Sequence, residues 1–377
     1  MRLNKHPDTL VHVFPEPFVF DTPYMGREET IPQLEVGYEA WGDPAHPAIL
    51  VCHALSGNTH ATDLSDPDDP RKSWWPAMVG PGRPIDTNRY YVICINMLGG
   101  CGGTSGPATI NPDTGEPYGV QFPVVTVHDM VRSQRMLLDA LGVTRLHAVI
   151  GGSMGGFQAL VWGILYPDFV ERIIPVASSG SSNQWMIVTN RVQIDAIQTD
   201  ANYNNGNYHR GRHPDTGVAI ARMIGFTTFI SPQMMEKKFA KAHQSIREPF
   251  RDRYFKEQMF HEAEQYLRKQ AEPFSENFDA NSMVYLLQTW NHFDLARRYG
   301  TLAKAVEPIK APVMLIAATG DNLFPPYLNE DVVMAMEVHG KTVRLELIDD
   351  DYGHDFFLIP EIITEKIAPP LAEFLRD

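Results

Sequence analysis

Residues 146–166, LHAVIGGSMGGFQALVWGILY, decide the architecture. The segment opens with an apolar run, LHAVIG at 146–151, of a length suited to a buried strand. It closes with GGFQALVWGILY at 155–166, whose apolar residues recur at helical spacing. Between the two sits Gly151-Gly152-Ser153-Met154-Gly155, which fits G-x-S-x-G in the strand-to-helix setting the motif requires. A nucleophile on a sharp bend needs neighbours without Cβ atoms, and the helix N-terminus behind it favours developing negative charge. Ser153 is the candidate nucleophile.

Outward from this bend, strand-like runs occur at 34–43, 48–53, 90–96 and 172–177, with an amphipathic helical pattern at 126–141 that starts at a Thr or Asp and ends at Gly142. Strands alternating with helices imply a mostly parallel central sheet covered by helices on both faces. From about Ser182 to Tyr299 the texture changes to Asn, Met, Arg and aromatic residues, with helical periodicity at 218–224 and 255–269. Sheet-type runs resume at 313–317 and 342–348, and a last helix is expected over 360–375. The simplest organisation is an α/β core made of residues 1–181 and 301–377, interrupted by a helical lid at 182–300. Such a lid would lie over the C-terminal ends of the strands, where sheets of this kind bind ligands.

The chain has 377 residues, 44% hydrophobic and 21% charged, and a formal charge of −14, which leaves no basic footprint for a nucleic acid. An anionic ligand must then meet a local basic patch. No basic segment followed by an apolar run marks the N-terminus, and no stretch has the roughly eighteen apolar residues of a membrane span, so a cytoplasmic protein is expected. Cys52, Cys94 and Cys101 have no CxxC spacing and read as buried small residues, with Cys101 in a glycine loop set apart. His53 and His60 lack a third ligand at recognisable spacing, so no metal is expected.

A serine hydroxyl is a weak nucleophile at neutral pH and needs a base oriented by a third group. Where the nucleophile sits on such a bend, the partners follow in the order serine, acid, histidine, in loops after later strands. Asp321 follows the run VMLIAATG, and His354 follows TVRLELIDDDYG. Asp349, Asp350, Asp351 and Asp355 are rival acids, but they crowd the histidine's own connection. Acyl transfer also needs donors aimed at the oxyanion, each contributing about 3 to 4 kcal/mol. The backbone N–H of Met154 is one candidate and that of Leu55, in the loop His53-Ala54-Leu55-Ser56-Gly57, is the other. The glycine-rich run at 99–106 has Ser105 where G-x-G-x-x-G wants its last glycine, and a turn-rich segment instead of a helix follows, so a dinucleotide site is not expected.

With these motifs in place, the chain resembles the homoserine O-acetyltransferases of the α/β-hydrolase superfamily. The matching segments are CHALSGNTH, NMLGGCGGTSGP, INPDTGEPYGVQFPVVTVHDMVRSQ, GGSMGGFQAL, GVAIARMIG, FDANSMVYLL, GDNLFPP and YGHDFFL, spread over nearly the whole length. The resemblance implies an α/β-hydrolase fold and ping-pong transfer of an acyl group from an acyl-CoA co-substrate, acetyl-CoA in the type case. The acceptor would be the hydroxyl of L-homoserine, in methionine biosynthesis, with no permanently bound cofactor. Ser153 would carry the acyl group, and His354, oriented by Asp321, would deprotonate the acceptor. Arg222 would help hold the amino-acid carboxylate and Asp355 the amino group. A homodimer through the lid helices is implied as well.

The chain also departs from that pattern. Where relatives commonly have ARMIGHITY, residues 221–229 read ARMIGFTTF, so Phe226 replaces a histidine and Phe229 a tyrosine. Ile194 stands where an arginine is common, and GGTSGP replaces the usual GSTGP or GTTGP. Losing a hydroxyl donor can cost discrimination for a polar substrate. Alternatives therefore stay open: a serine hydrolase with the same acyl-enzyme, an acceptor such as serine, or succinyl-CoA as donor.

Overall fold

The computed structural model describes residues 2–21, 28–65, 73–239 and 261–376. Eight strands form one sheet: β1 (Leu10–Phe14), β2 (Leu34–Trp41), β3 (Ala48–Cys52), β4 (Tyr91–Ile95), β5 (Leu146–Gly152), β6 (Ile173–Val176), β7 (Val313–Ala318) and β8 (Val343–Ile348). Their spatial order is β1-β2-β4-β3-β5-β6-β7-β8. β1 and β2 pair antiparallel, as do β2 and β4, and every pairing from β4 to β8 is parallel.

The central strands are apolar throughout because both sheet faces are covered. Along β3, Leu50 and Cys52 join the core on one face while Ile49 and Val51 join the core on the other. The expected strand at 34–43 stops at Trp41, because Gly42 adopts φ +88° and approaches the Tyr90 carbonyl so closely that a Cβ there would lie 2.2 Å from its oxygen. β1 had no counterpart in the sequence reading. It is a short edge strand in which no residue is fully buried, although its sequence, LVHVF, is apolar except at His12.

α1 (Val127–Ala140) begins at the Thr126 cap: its hydroxyl accepts from the Asp129 N–H while the Asp129 carboxylate accepts from the Thr126 N–H. Such a cap contributes about 1 kcal/mol. α2 (Met154–Leu165) packs on β5 and β6. After β6 come α3 (Gln184–Gln198), α4 (Asp215–Phe229), α5 (Pro232–Phe239), α6 (Glu262–Asn277) and α7 (Ala280–Asn291), with α4 packed between α3 and α6. Of the helical pattern expected at 255–269, residues 255–260 lie outside the described residues.

α8 (Tyr327–Glu337) connects β7 to β8. The expected final helix is broken. A short turn at Pro360–Ile362 passes into a π-turn at Ile363–Ile367 and then into α9 (Ala368–Phe374). Pro369 and Pro370 supply no N–H to the preceding turn, so its hydrogen bonds cannot continue in the α pattern. Among the described residues no helix is long and apolar enough to cross a membrane.

Candidate active site

β5 ends at Gly152 and α2 begins at Met154, so Ser153 alone turns the chain, at φ 56° and ψ −119°. A non-glycine residue there costs about 1 to 3 kcal/mol, which the packed surroundings must offset. The flanking glycines are needed for space and not for a left-handed backbone. A Cβ on Gly155 would lie 2.0 Å from the Cys52 carbonyl oxygen, one on Gly151 2.4 Å from the Gly155 backbone, and one on Gly152 2.3 Å from the Phe357 ring.

The bend brings Ser153 Oγ to 2.9 Å from His354 Nε2, and His354 Nδ1 lies 2.9 Å from Asp321 Oδ2. The other carboxylate oxygen of Asp321 accepts from the N–H groups of Leu323 (2.9 Å) and Phe324 (2.8 Å), which fixes its orientation. None of the rival acids hydrogen-bonds to the imidazole: Asp349 accepts from the Thr319 hydroxyl and Asp350 pairs with Lys366. Phe324 stacks on the His354 ring at 5.0 Å between centroids and Phe357 meets it edge-on at 5.8 Å. All three polar side chains are buried.

Burial alone would depress the imidazole pKa, but the carboxylates of Asp321 and Asp355 outweigh it and hold His354 above its ordinary value. Asp355 is itself pushed up to about 6 by burial, against the pull of His354 and Arg222. Two consequences follow for an imidazole acting as a base. The neutral form is lost as pH falls through a raised pKa, so the acid limb of kcat/KM for thiol release should lie above the ordinary imidazole midpoint of about 6.5. Asp355→Asn removes one of the charges that raise it and should move that limb to lower pH, and a limb that stays in place would contradict this coupling.

Beside the triad lies a tight pocket with a free volume of only about 10 Å³, walled by Leu55, Met283, Leu287, Trp290, Leu323 and Phe229, with Asn190, Gln193, Thr228 and Arg222 as its polar residues. Phe229 links the two regions, its ring centroid 6.0 Å from that of His354. Arg222 is half-buried, its Nε is buried without a hydrogen-bond partner, and its side chain makes no hydrogen bond to a described residue. Its carbon instead sits over the rings of Phe274 (4.7 Å), Phe226 (5.0 Å) and Phe229 (5.4 Å). Burial lowers its pKa to about 10, with Asp355 opposing the shift, so it remains a cation at neutral pH. Two of the departures from the family pattern, Phe226 and Phe229, thus form a cage that stabilises the charge through ring faces and leaves its N–H groups unspent.

Ile194 is fully buried in the core and does not line the cavity. The polar wall comes from Asn190 and Gln193 on the same helix, where Gln193 donates to Asn190 at 3.1 Å and Asn190 to Asn291 at 2.9 Å. The sequence reading missed both, and Trp290 too. Their only signal is a pair of amides three residues apart on α3, which spacing alone cannot distinguish from a solvated face.

The Leu55 and Met154 side chains are buried, and neither backbone N–H donates to another described residue. His53 and His60 do not converge on one site. The His53 ring is held by Ala54 and Asn96, whereas His60 groups with His6 and Glu39, whose potential ligand atoms lie within 4.8 Å of one another. In that group, which has the third ligand the sequence spacing did not show, His60 Nδ1 is hydrogen-bonded to Glu39 at 2.6 Å, the His6 ring is stacked nearly parallel on the His60 ring, and His60 Nε2 is buried without a partner among the described residues.

A bent serine at the top of a mostly parallel sheet, served by a histidine and an acid from later connections, defines an α/β hydrolase. The chain belongs to that family: the α/β-hydrolase fold family matches residues 47–360. Within it the chain belongs with the homoserine O-acetyltransferases. It is 42% identical over 339 residues to the homoserine O-acetyltransferase of Deferribacter desulfuricans, covering 89% of each chain. It is also 41% identical over 364 residues to a homoserine O-succinyltransferase of Hahella chejuensis, covering 94% of this chain and 92% of the relative. Among solved structures, esterase E22 superposes with a TM-score of 0.84 at 31% identity, over 97% of this chain and 99% of the esterase.

Proposed function

We propose that the protein transfers an acetyl group from acetyl-CoA to the side-chain hydroxyl of L-homoserine, by a ping-pong route through acetyl-Ser153, as a step in methionine biosynthesis in the cytoplasm. In the first half-reaction Ser153 Oγ attacks the thioester carbonyl and its proton passes to His354 Nε2. The tetrahedral oxyanion is held by the N–H groups of Leu55 and Met154 until it collapses, and the CoA thiolate leaves with the proton from His354. In the second half the acceptor hydroxyl gives its proton to His354 and attacks the acetyl carbon, after which Ser153 departs reprotonated. Asp321 keeps the ring in the tautomer that exposes Nε2 and stabilises the imidazolium in each half.

The observation that carries this reading is the pairing of the triad with a ring-caged guanidinium that has no carboxylate hydrogen-bonded to it among the described residues. A zwitterionic amino acid needs a fork for its carboxylate and an anion for its ammonium, and Arg222 and Asp355 lie close enough to shift one another's pKa. Acetyl is favoured over succinyl because Arg222 is the single cation lining the cavity among the described residues, so a second carboxylate would meet no partner there. Helices α3 to α7, within the lid expected at 182–300, would cover the site.

Hydrolysis of the same acyl-enzyme is the second reading. The phenylalanines at 226 and 229 and the similarity to esterase E22 support it. Following free thiol from acetyl-CoA separates the two. Steady release only with homoserine supports transfer, release only with serine moves the acceptor, and equal release without any acceptor establishes hydrolysis.

The implied homodimer has a candidate face. On α3, Trp185, Val188 and Val192 recur at helical spacing and stand half-exposed, and Ile220 of α4 is also exposed. The protein should therefore run in light scattering at twice its 42.5 kDa chain mass, and Val188→Asp should halve that mass. A wild-type monomer at micromolar concentration would remove this part of the proposal.

A further inference from the structure

An oxyanion donor acts only if its direction is set before the reaction begins. In a trans peptide the carbonyl and the following N–H point opposite ways in one plane, so fixing the Ala54 carbonyl fixes the Leu55 N–H. That carbonyl is held twice, by His53 Nδ1 at 2.8 Å and by the Gly57 N–H at 2.9 Å. The His53 ring is in turn pinned at Nε2, which accepts from Asn96 Nδ2 at 2.9 Å, and a Cβ on Gly57 would lie 2.9 Å from the His53 Cβ and 3.2 Å from its ring. Burial lowers the His53 pKa to about 4, so the ring stays neutral and keeps one donor and one acceptor nitrogen through the working pH range.

Two further carbonyls of this loop, those of Ser56 and Gly57, are held by one side chain from far away in sequence. Asn4 Nδ2 donates to the Gly57 carbonyl at 3.1 Å and to the Ser56 carbonyl at 3.3 Å. Rotation of any of these peptide planes would break hydrogen bonds to Asn4 or His53. Asn4 is itself tied down on both sides. Two residues before it, Arg2 pairs with Asp215 at the start of α4 and donates to the Glu276 carbonyl near the end of α6, each at 2.8 Å. After it, the His6 ring stacks on His60 with centroids 3.5 Å apart, and the Thr9 hydroxyl lies 2.6 Å from that of Thr59.

We propose that Asn4 is a positioning residue of the oxyanion hole: residues 2–9 form a strap from helices α4 and α6 to the 53–57 loop, and the Asn4 amide holds that loop so that the Leu55 N–H meets the thioester oxygen. The inference rests on the reading of Leu55 as an oxyanion donor. It concerns a group that touches no substrate, so its signature is transition-state binding lost without ground-state binding.

The test compares wild type, Asn4→Ala and Asn4→Asp. Three quantities are read: the single-turnover rate of thiol release from acetyl-CoA, the KM for acetyl-CoA, and the Ki of a trifluoromethyl ketone. Ser153 Oγ adds to the ketone carbonyl, its proton goes to His354, and the resulting alkoxide occupies the oxyanion position. Removing a whole oxyanion donor costs about 10²- to 10³-fold, so loosening one should lower the rate about tenfold in Asn4→Ala. The Ki should rise by the same factor with KM nearly unchanged. Asn4→Asp, which sets a carboxylate against two carbonyl oxygens, should be worse on both counts; if it does not fold, Asn4→Ala alone decides. A rate loss without a matching rise in Ki, or no change in either, overturns the strap. A wild-type enzyme insensitive to the ketone overturns instead the acyl-serine reading beneath it.

Discussion

Ser153→Ala is expected to lower thiol release from acetyl-CoA by about 10⁴-fold or more, with homoserine and without it. The size follows from the loss of the hydroxyl oxygen that lies 2.9 Å from His354 Nε2. Without it the imidazole has no alcohol to activate, and what remains is the positioning provided by the backbone donors and the cavity. The variant should also fold as well as wild type. Alanine keeps the same backbone strain at φ 56° and loses one hydrogen bond, worth about 1 kcal/mol, so the melting temperature should fall by only a few degrees. Mass spectrometry of the wild-type protein after acetyl-CoA alone should show an added acetyl group that Ser153→Ala lacks. Activity near wild type in the variant would overturn the nucleophile assignment, and with it both the transferase and the hydrolase readings.

Arg222→Ala should separate the half-reactions. Hydrogen bonds to charged groups contribute about 1.5 to 3 kcal/mol, so losing the guanidinium should raise the KM for homoserine by about 100-fold. Single-turnover acylation should stay within about threefold, because the thioester carbonyl depends on Ser153 and the backbone donors. Arg222→Lys should recover only part of the loss, since a point charge replaces neither the planar fork nor its contact with the rings of Phe226, Phe229 and Phe274. Stability should change little. A cation whose pKa is lowered to about 10 is destabilised by burial, and relief of that desolvation offsets the void left by the side chain. Equal losses in acylation and in acceptor use would show that Arg222 supports the lid generally and does not read the carboxylate.

The central sheet and the nucleophile were legible for the same reason: each is encoded by neighbours in the chain. Strands covered on both faces must be apolar at every position, so β3, β4, β5 and β7 stand out as short uninterrupted runs, and the Ser153 bend is contained within five residues. Asp321 and His354 were legible one step less directly, from the rule that the partners follow later strands in a set order. β1, LVHVF, carried a similar apolar run that went unread, and exposure at the sheet edge, not sequence, sets it apart from the central strands. The break in the C-terminal helix could have been read from Pro369 and Pro370, since the missing N–H groups are visible in the sequence.

By itself the sequence determined the fold class, the candidate triad residues and, through the resemblance, the two residues proposed to grip an amino acid. Only the tertiary structure decided how the site is built around them. Phe226 and Phe229, which looked like losses of polar function, become ring faces for a buried cation. Ile194 drops out of the site while Asn190, Gln193 and Trp290 enter it. Asn4 reaches a loop more than fifty residues away. Local patterns report which groups lie next to one another along the chain, whereas recognition depends on which groups meet once the chain has packed. That second relation is set by how helices α3 to α7 and the N-terminal residues 2–9 pack, and those contacts have no period or spacing to read.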